Sequence, residues 1–327
     1  MKVSASLPTG VAALLFEGAR RRRRLEDLLV GRLEGAGFSE AILPVLDFLE
    51  PYDRLLSPAS RAELYRFVDR DGELLALRAD FTPMLARLLA PRLASLELPL
   101  RLFYRGDVLR YQQERAGRQR EFYQLGAEVL GMPGEEGELA TLRHFLSLLD
   151  ISERRRLYLV IGFAGALDEP ILRGANGAGA ASLADSIVRR ERKPARAAGS
   201  ALLSVVEHGL PDDPSALGPA AAARLARLLE ARDLLAREFP QIELRVDLAE
   251  FADQVLAPEL LSKIGARAYY DGLVFRAFAG AAAEPVGGGG RYDRLFERLG
   301  AKVTACGFSF AIDRLLDQNG VRPERAS

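Results

Sequence analysis

Residues 103–128 read FYRGDVLRYQQERAGRQREFYQLGAE. Leu100, Leu102 and Tyr104 alternate with Arg101, Phe103 and Arg105, a two-residue period that predicts a strand. A loop rich in Gln, Glu, Arg and Gly follows, and a second strand resumes through Phe122, Gln124 and Gly126. Two strands joined by a polar loop make an antiparallel hairpin. The loop and its edges carry Arg110, Glu114, Arg115, Arg118 and Arg120. Residues at even spacing share one face of a strand, so Arg120, Phe122, Gln124, Gly126 and Glu128 point the same way. Such a row suits a small zwitterion or a nucleotide, because carboxylates hold an amine and guanidinium forks hold carboxylate or phosphate. It equally fits the solvated face of an ordinary charged hairpin, and the hairpin alone does not separate the two.

Composition narrows the class. The 327 residues suffice for a large core, in one elaborated domain or two. Basic and acidic residues number 45 each, so no net field draws the chain to nucleic acid or anionic lipid. Cys306 is the single cysteine, which rules out an internal disulfide and a cysteine-rich zinc site. His144 and His208 are the only histidines, so no metal site and no cofactor is expected. The start, MKVSASLPTG, lacks the apolar run of a secretory leader, and no 18-residue apolar stretch is present. The expected location is the cytoplasm, with no membrane partner.

Residues 11–35 predict a helix with Leu25, Leu28, Leu29 and Leu33 as its apolar stripe. The five arginines at 20–24 could form a phosphate or nucleic-acid patch. The spacings Glu17–Arg21, Arg22–Glu26 and Arg23–Asp27, with the zero net charge, favour a salt-bridged solvated face instead. Gly35 and Gly37 stop the helix, and residues 38–46 read as a strand. Residues 65–69 and 74–77 flank a turn at Arg70-Asp71-Gly72 and predict another hairpin. A helix then starts at Pro83 with Thr82 as its cap, and Leu85, Leu88 and Leu89 face a core. After the 103–128 hairpin come a helix at 138–149 and a strand at 157–163. Residues 165–240 are rich in Ala, Arg, Leu and Gly with helical periodicity, and read as a helical insertion into a core made of 1–164 and 241–327. Strands return at 242–248, 269–278 and 306–311, and 312–318 opens a last helix. Between them lies GGGGRYDRL, residues 287–295, which reads as a glycine loop tolerant of positive φ and of close backbone approach. No Lys-Ser/Thr follows it, so it is not a phosphate loop.

Taken together, these segments resemble the catalytic domain of class II aminoacyl-tRNA synthetases, specifically of histidyl-tRNA synthetases. The helix–strand–Pro unit at 11–46 is similar to motif 1, the dimer-forming element of that class. Residues 109–124 are similar to motif 2, with Arg110 as its substrate arginine, and 307–316 to motif 3, with Arg314 as its ATP-binding arginine. LRADFT (residues 77–82), AYYDGLVF (268–275) and GGGGRYDRL resemble the family's histidine-binding signatures LRPEGT, DYYNRTVF and GGRYDGL. The implied fold is α+β: an antiparallel sheet flanked by helices, with a helical insertion.

Two departures from the synthetases shape the expected function. Their Arg-Gly-Leu-Asp-Tyr-Tyr element carries an arginine that promotes adenylate formation, and here that position is Gly265. Losing a cation that stabilises charge on the transferring phosphate costs several powers of ten in rate. Arg267 is displaced by two residues, about 6.6 Å along an extended segment. The sequence also stops at Ser327, soon after the motif 3 resemblance, so the anticodon-binding domain that synthetases carry there is expected to be missing. This combination resembles the regulatory subunits of ATP phosphoribosyltransferase. The resemblance implies no chemistry of its own, activation of the short-form catalytic subunit, feedback by free histidine and self-association through the motif 1 region. It implies a histidine site of Asp80, Thr82, Arg110, Gln124, Glu128, Tyr269, Tyr270, Gly288, Gly289 and Tyr292. Asp80, Thr82 and Glu128 would take the amino group, Arg110 the carboxylate, and Glu128 or Tyr270 the imidazole. Arg110, Arg118, Arg120 and Arg314 would remain from a nucleotide site. The alternatives are a compact histidyl-tRNA synthetase or adenylating relative, which both nucleotide arginines favour, and a tRNA-binding module, which only the arginines at 20–24 favour.

Overall fold

A computed structural model describes residues 6–56, 58–111, 119–150, 157–174, 179–257, 269–280 and 284–318. Its strands are β1 (Ser39–Glu40), β2 (Leu46–Phe48), β3 (Arg66–Val68), β4 (Leu74–Leu77), β5 (Leu100–Leu109), β6 (Glu121–Leu130), β7 (Leu157–Phe163), β8 (Ile242–Val246), β9 (Leu273–Ala279), β10 (Gly287–Arg291) and β11 (Ala305–Ala311). Its α-helices are α1 (Phe16–Gly35), α2 (Glu50–Leu55), α3 (Pro58–Ala62), α4 (Thr82–Leu89), α5 (Gly134–Leu149), α6 (Asp168–Gly174), α7 (Ala180–Val188), α8 (Arg192–Ala198), α9 (Ser200–His208), α10 (Pro219–Glu238), α11 (Asp293–Arg298) and α12 (Ile312–Gln318). Eight strands form one sheet in the order β1-β5-β6-β11-β10-β9-β7-β8, and β2-β4-β3 form a second.

The hairpin expected at 103–128 is the β5/β6 pair, antiparallel from Leu100↔Leu130 to Leu109↔Glu121. The sheet is mixed rather than wholly antiparallel, since the pairs β1/β5 and β7/β8 run parallel. A parallel pair needs a long crossover. The helical stretch α6–α10 lies between β7 and β8 in the chain and is that crossover. Its Ile171, Ile187, Val205 and Leu235 are fully buried and belong to the same apolar cluster as the sheet. Small residues let these helices approach closely: a Cβ on Gly174 would lie 2.7 Å from the Cβ of Ala198.

Alternation sorts the main sheet into two faces. Phe103, Leu125, Ala127, Val129, Phe308 and Phe310 pack under Leu29 and Leu33 of α1 and Phe145 and Leu146 of α5. The Phe145 ring stacks on Phe310 with centroids 4.5 Å apart. The even-numbered residues of β5 and β6 face the other way.

Helix α1 begins at Phe16, five residues later than expected, because the preceding segment is drawn out along the hairpin. The Gly10 carbonyl accepts from the Arg120 N–H at 2.7 Å. Leu29 and Leu33 are buried as expected, but Leu28 is 46% exposed. The arginines at 20–24 form the salt-bridged face, with partners that differ from simple spacing. Glu17 takes Arg20, Arg21 and Arg24. Glu26 turns inward and is buried, accepting from Arg23, Arg105 and the Tyr123 hydroxyl. Arg22 therefore sits over the Tyr123 ring near Asp313 instead of pairing with Glu26, and Arg23 bonds Glu26 rather than Asp27. Gly31 lies exposed in the middle of α1, and a Cβ added there would meet no atom within 4 Å. Gly31→Ala should therefore raise stability by about 0.5–1 kcal/mol in urea unfolding; a loss would mean that another surface covers this face.

The strand expected at 38–46 is split between β1 and β2, which lie in different sheets. The buried Arg78 guanidinium holds the bend between them by donating to the carbonyls of Leu43, Pro44 and Asp107. The β3/β4 hairpin turns where expected, with Gly72 at φ +88 and the Asp69 carboxylate accepting from the N–H groups of Asp71 and Glu73. Helix α4 starts at Thr82, whose hydroxyl does not cap it. Asp80 accepts from the Thr82 N–H instead. Leu85 is buried, while Leu88 and Leu89 are half-buried. Strand β9 begins at Leu273, so Tyr269 and Tyr270 precede it.

The largest difference concerns the glycine run. Gly287 to Gly290 are not a loop but most of β10, paired with β11 on one side and β9 on the other. None of the four has positive φ. A Cβ on Gly288 would lie 2.6 Å from the Phe275 carbonyl oxygen, and one on Gly289 2.1 Å from that of Gly307. The run is glycine because its neighbours leave no room for a side chain.

Candidate functional site

Strand register places residues from five strands in two adjacent rows on the face opposite the helical core. One row reads Tyr104, Gly126, Ser309, Gly288 and Arg276; the next reads Leu102, Glu128, Gly307, Gly290 and Val274. Gly126, Gly288, Gly290 and Gly307 put no side chain of their own on the middle of this floor, and the Tyr104 ring lies over Gly126, the Tyr270 ring over Gly290 and the Glu128 carboxylate over Gly307. A cleft of about 420 Å³ lies over it. Asp80 and Thr82 enter from the start of α4, and Tyr269 and Tyr270 from the segment before β9.

Glu128 is the electrostatic centre. It is 2% exposed, and its Oε1 accepts from the Thr82 hydroxyl at 2.7 Å and the Tyr104 hydroxyl at 3.1 Å. Oε2 accepts from the Tyr292 hydroxyl. Gly307 must be bare, since its Cβ would lie 1.5 Å from Oε2. Burial raises the Glu128 carboxyl to about 8, outweighing the three hydroxyl donors, and Asp80 adds to the rise. Burial likewise raises the Tyr104, Tyr269, Tyr270 and Tyr292 phenols. Gln124 is 5% exposed, and its Oε1 has no hydrogen-bond partner among the described residues. An orphaned buried acceptor costs about 1–3 kcal/mol, which an N–H donor on a ligand would recover.

The arginines lie at the rim. Arg110 donates to the Ala79 carbonyl at 2.8 Å, lies 3.6 Å from the Asp80 carboxylate and flanks the Phe122 ring. Arg314 donates to the Pro285 carbonyl at 3.0 Å, pairs with Glu284 at 2.7 Å and lies near the same ring. The fold thus brings Asp80, Thr82, Arg110, Gln124, Glu128, Tyr269, Tyr270, Gly288, Gly289, Tyr292 and Arg314 around one cleft. Arg120 is not part of its lining; its guanidinium lies over the Tyr111 ring. Arg118, Gly265 and Arg267 fall outside the described residues. Gly289 and Gly288 contribute as strand floor and not as a closing loop.

Tyr104, Ser309, Gln254 and Arg276 also line the cleft and were not singled out from sequence. Tyr104 is in even register with Gly106 and Leu102 on the strand facing Glu128. Arg276 is in even register with Tyr270 along the chain. Period alone could have flagged both, but only sheet order puts them on a shared floor. Chemically, the Asp80–Glu128 end with its hydroxyls and orphaned amide suits an ammonium or imidazole N–H. Guanidinium groups elsewhere in the cleft suit an anion.

The family described as Histidyl-tRNA synthetase matches residues 10–315 of this chain. An ATP phosphoribosyltransferase regulatory subunit of Moorella thermoacetica is 31% identical, over 96% of this chain and 82% of that protein. The structure of an ATP phosphoribosyltransferase regulatory subunit/histidyl-tRNA synthetase from Bacillus halodurans superposes with a TM-score of 0.77 at 23% identity, covering 98% of this chain and 85% of that one. A chain in the ATP phosphoribosyltransferase complex of Thermotoga maritima shares the fold, with a TM-score of 0.64 at 19% identity, over 89% of this chain and 97% of that one. The match across nearly the whole chain, together with the class II sheet and its cleft, places this protein in the histidyl-tRNA synthetase family, within the group of ATP phosphoribosyltransferase regulatory subunits.

Proposed function

We propose that this chain is the regulatory subunit of ATP phosphoribosyltransferase, the enzyme of the first step of histidine biosynthesis. It activates the short-form catalytic subunit, carries out no reaction itself, and binds free histidine in the cleft as the feedback signal. One observation carries the choice of ligand. The Asp80–Glu128 end holds an orphaned acceptor, whereas Arg110 and Arg314 are occupied by the protein's own carbonyls and carboxylates. In this proposal Asp80, Thr82, Gln124 and Glu128 hold the amino group and an imidazole N–H, and Tyr269, Tyr270 and Tyr292 form the aromatic wall. Exposed apolar residues at Ile42, Val45, Leu46 and Phe48 support self-association through the motif 1 region.

Histidine inhibits only if it binds the inactive assembly more tightly than the active one. Coupling of about 1–3 kcal/mol would give roughly 5- to 150-fold control, and substrates of the catalytic subunit would weaken histidine binding by the same factor. The test mixes the purified chain with a short-form catalytic subunit and follows product formation with and without histidine, alongside calorimetric titration. Expected are activation on mixing, inhibition by histidine and saturable histidine binding to the free chain. Failure to activate any short-form subunit would sink the proposal.

A second function, histidine activation, is favoured by the fact that Arg110 and Arg314 line the same cleft. Histidine-dependent ATP–pyrophosphate exchange tests it. Exchange above background would move adenylation ahead of regulation.

A further inference from the structure

Arg276 lies on β9 at the end of the floor row that begins with Tyr104, and it lines the cleft. Its Cγ lies 3.6 Å from where a Cβ of Gly288 would be, so its side chain leaves the sheet on the cleft side. Its charge is felt at the Tyr270 phenol, where it opposes the rise caused by burial. Its Nη1 donates to the Glu250 carboxylate at 2.7 Å and the Glu250 carbonyl at 3.2 Å, and the guanidinium lies over the Phe251 ring. Among the described residues Nε and Nη2 make no hydrogen bond, and both can donate to an anion.

The charges around the floor are segregated. Glu128 stands on β6, with Asp80 nearby, and Arg276 stands on β9. Three strand spacings separate those backbones, about 14 Å, and both side chains extend into the same cleft. Ser309, midway along the row, adds a hydroxyl. The arrangement offers acceptors at one side and a cation at the other, with the Tyr104 ring over Gly126 and the Tyr270 ring over Gly290 between them. That complements an α-amino acid zwitterion lying over Gly288 beside Ser309. Arg110 lies at the acceptor end instead, 3.6 Å from the Asp80 carboxylate, with its Nε donating to the Ala79 carbonyl.

We infer that Arg276, oriented by Glu250, binds the carboxylate of the amino acid in the cleft and so selects amino acids over their decarboxylated or reduced analogues. This assignment rests on the histidine-binding function proposed above. Calorimetric titration with histidine and with histidinol, which lacks the carboxylate, tests it. The wild-type chain should bind histidine about 10- to 100-fold more tightly than histidinol, the range for charge-assisted hydrogen bonds. Arg276→Gln should erase that preference by weakening histidine alone, and Arg276→Lys should restore part of it. A purely structural role for Arg276 would weaken both ligands together. That result, or a preference that survives Arg276→Gln, overturns the assignment while leaving histidine binding in place. Binding of neither ligand to the wild-type chain would instead overturn the histidine site itself, and this assignment with it.

Discussion

Gly289→Ala should destabilise the protein by about 3 kcal/mol or more, the range reached when a side chain is forced into a closed space. The added carbon would lie 2.1 Å from the carbonyl oxygen of Gly307, 2.7 Å from the Cα of Phe308 and 2.8 Å from its Cβ. None of these is the loose end of a side chain. Gly307 and Phe308 are in β11, which is itself paired with β6, and Gly289 is paired with β9 on its other side. Relief therefore requires moving one strand inside a ladder fixed from both sides, at the centre of the eight-stranded sheet. The measurement is the urea midpoint of Gly289→Ala against wild type, with Gly31→Ala as a helix-surface control of opposite sign. An unchanged midpoint would mean that residues 287–290 form a loop after all.

The second large effect is a pH dependence that belongs to Glu128. Its carboxyl is raised from 4.5 to about 8 in the folded protein. A group whose folded value lies above its unfolded value contributes stability that is complete below the unfolded value and is lost as pH rises through the folded one. Wild-type stability should therefore decline between about pH 5 and pH 8 by as much as about 5 kcal/mol, the ceiling set by the full shift. Glu128→Gln keeps a buried hydrogen-bonding group of similar shape without a charge to desolvate. Its stability should be nearly flat over the same window, so that the variant gains on wild type as pH rises. It should also bind histidine more weakly, having lost a carboxylate from the amine end. Urea midpoints for both proteins at pH 5, 6.5 and 8 decide the point. Parallel profiles would show that Glu128 titrates normally and that its surroundings are wetter than the cleft geometry implies.

Much of this architecture was legible in the chain because it is written in local period. The strands at 157–163 and 100–109, the helix at 312–318 and the turn around Gly72 follow from alternation, helical spacing and turn chemistry, each involving neighbouring residues. Asp80, Thr82, Gln124 and Glu128 came to notice through ordered signatures, and the fold does gather them. What sequence spacing could not supply was the partner of each group. Glu26 looked like a surface partner for Arg22, yet it is buried against Arg105 and Tyr123, which lie 79 and 97 residues away. Gly287 to Gly290 looked like a loop because glycine usually signals backbone freedom, whereas here it signals the absence of space, which exists only once β9 and β11 are in place. Arg276 shares only an even register with Tyr270, and it joins the cleft because sheet order puts β9 three strands from β6. Local period by itself determined most of the elements, and ordered signatures carried the family resemblance; long-range pairing decided which side chains are buried together, and hence the charge, the shape and the floor of the site.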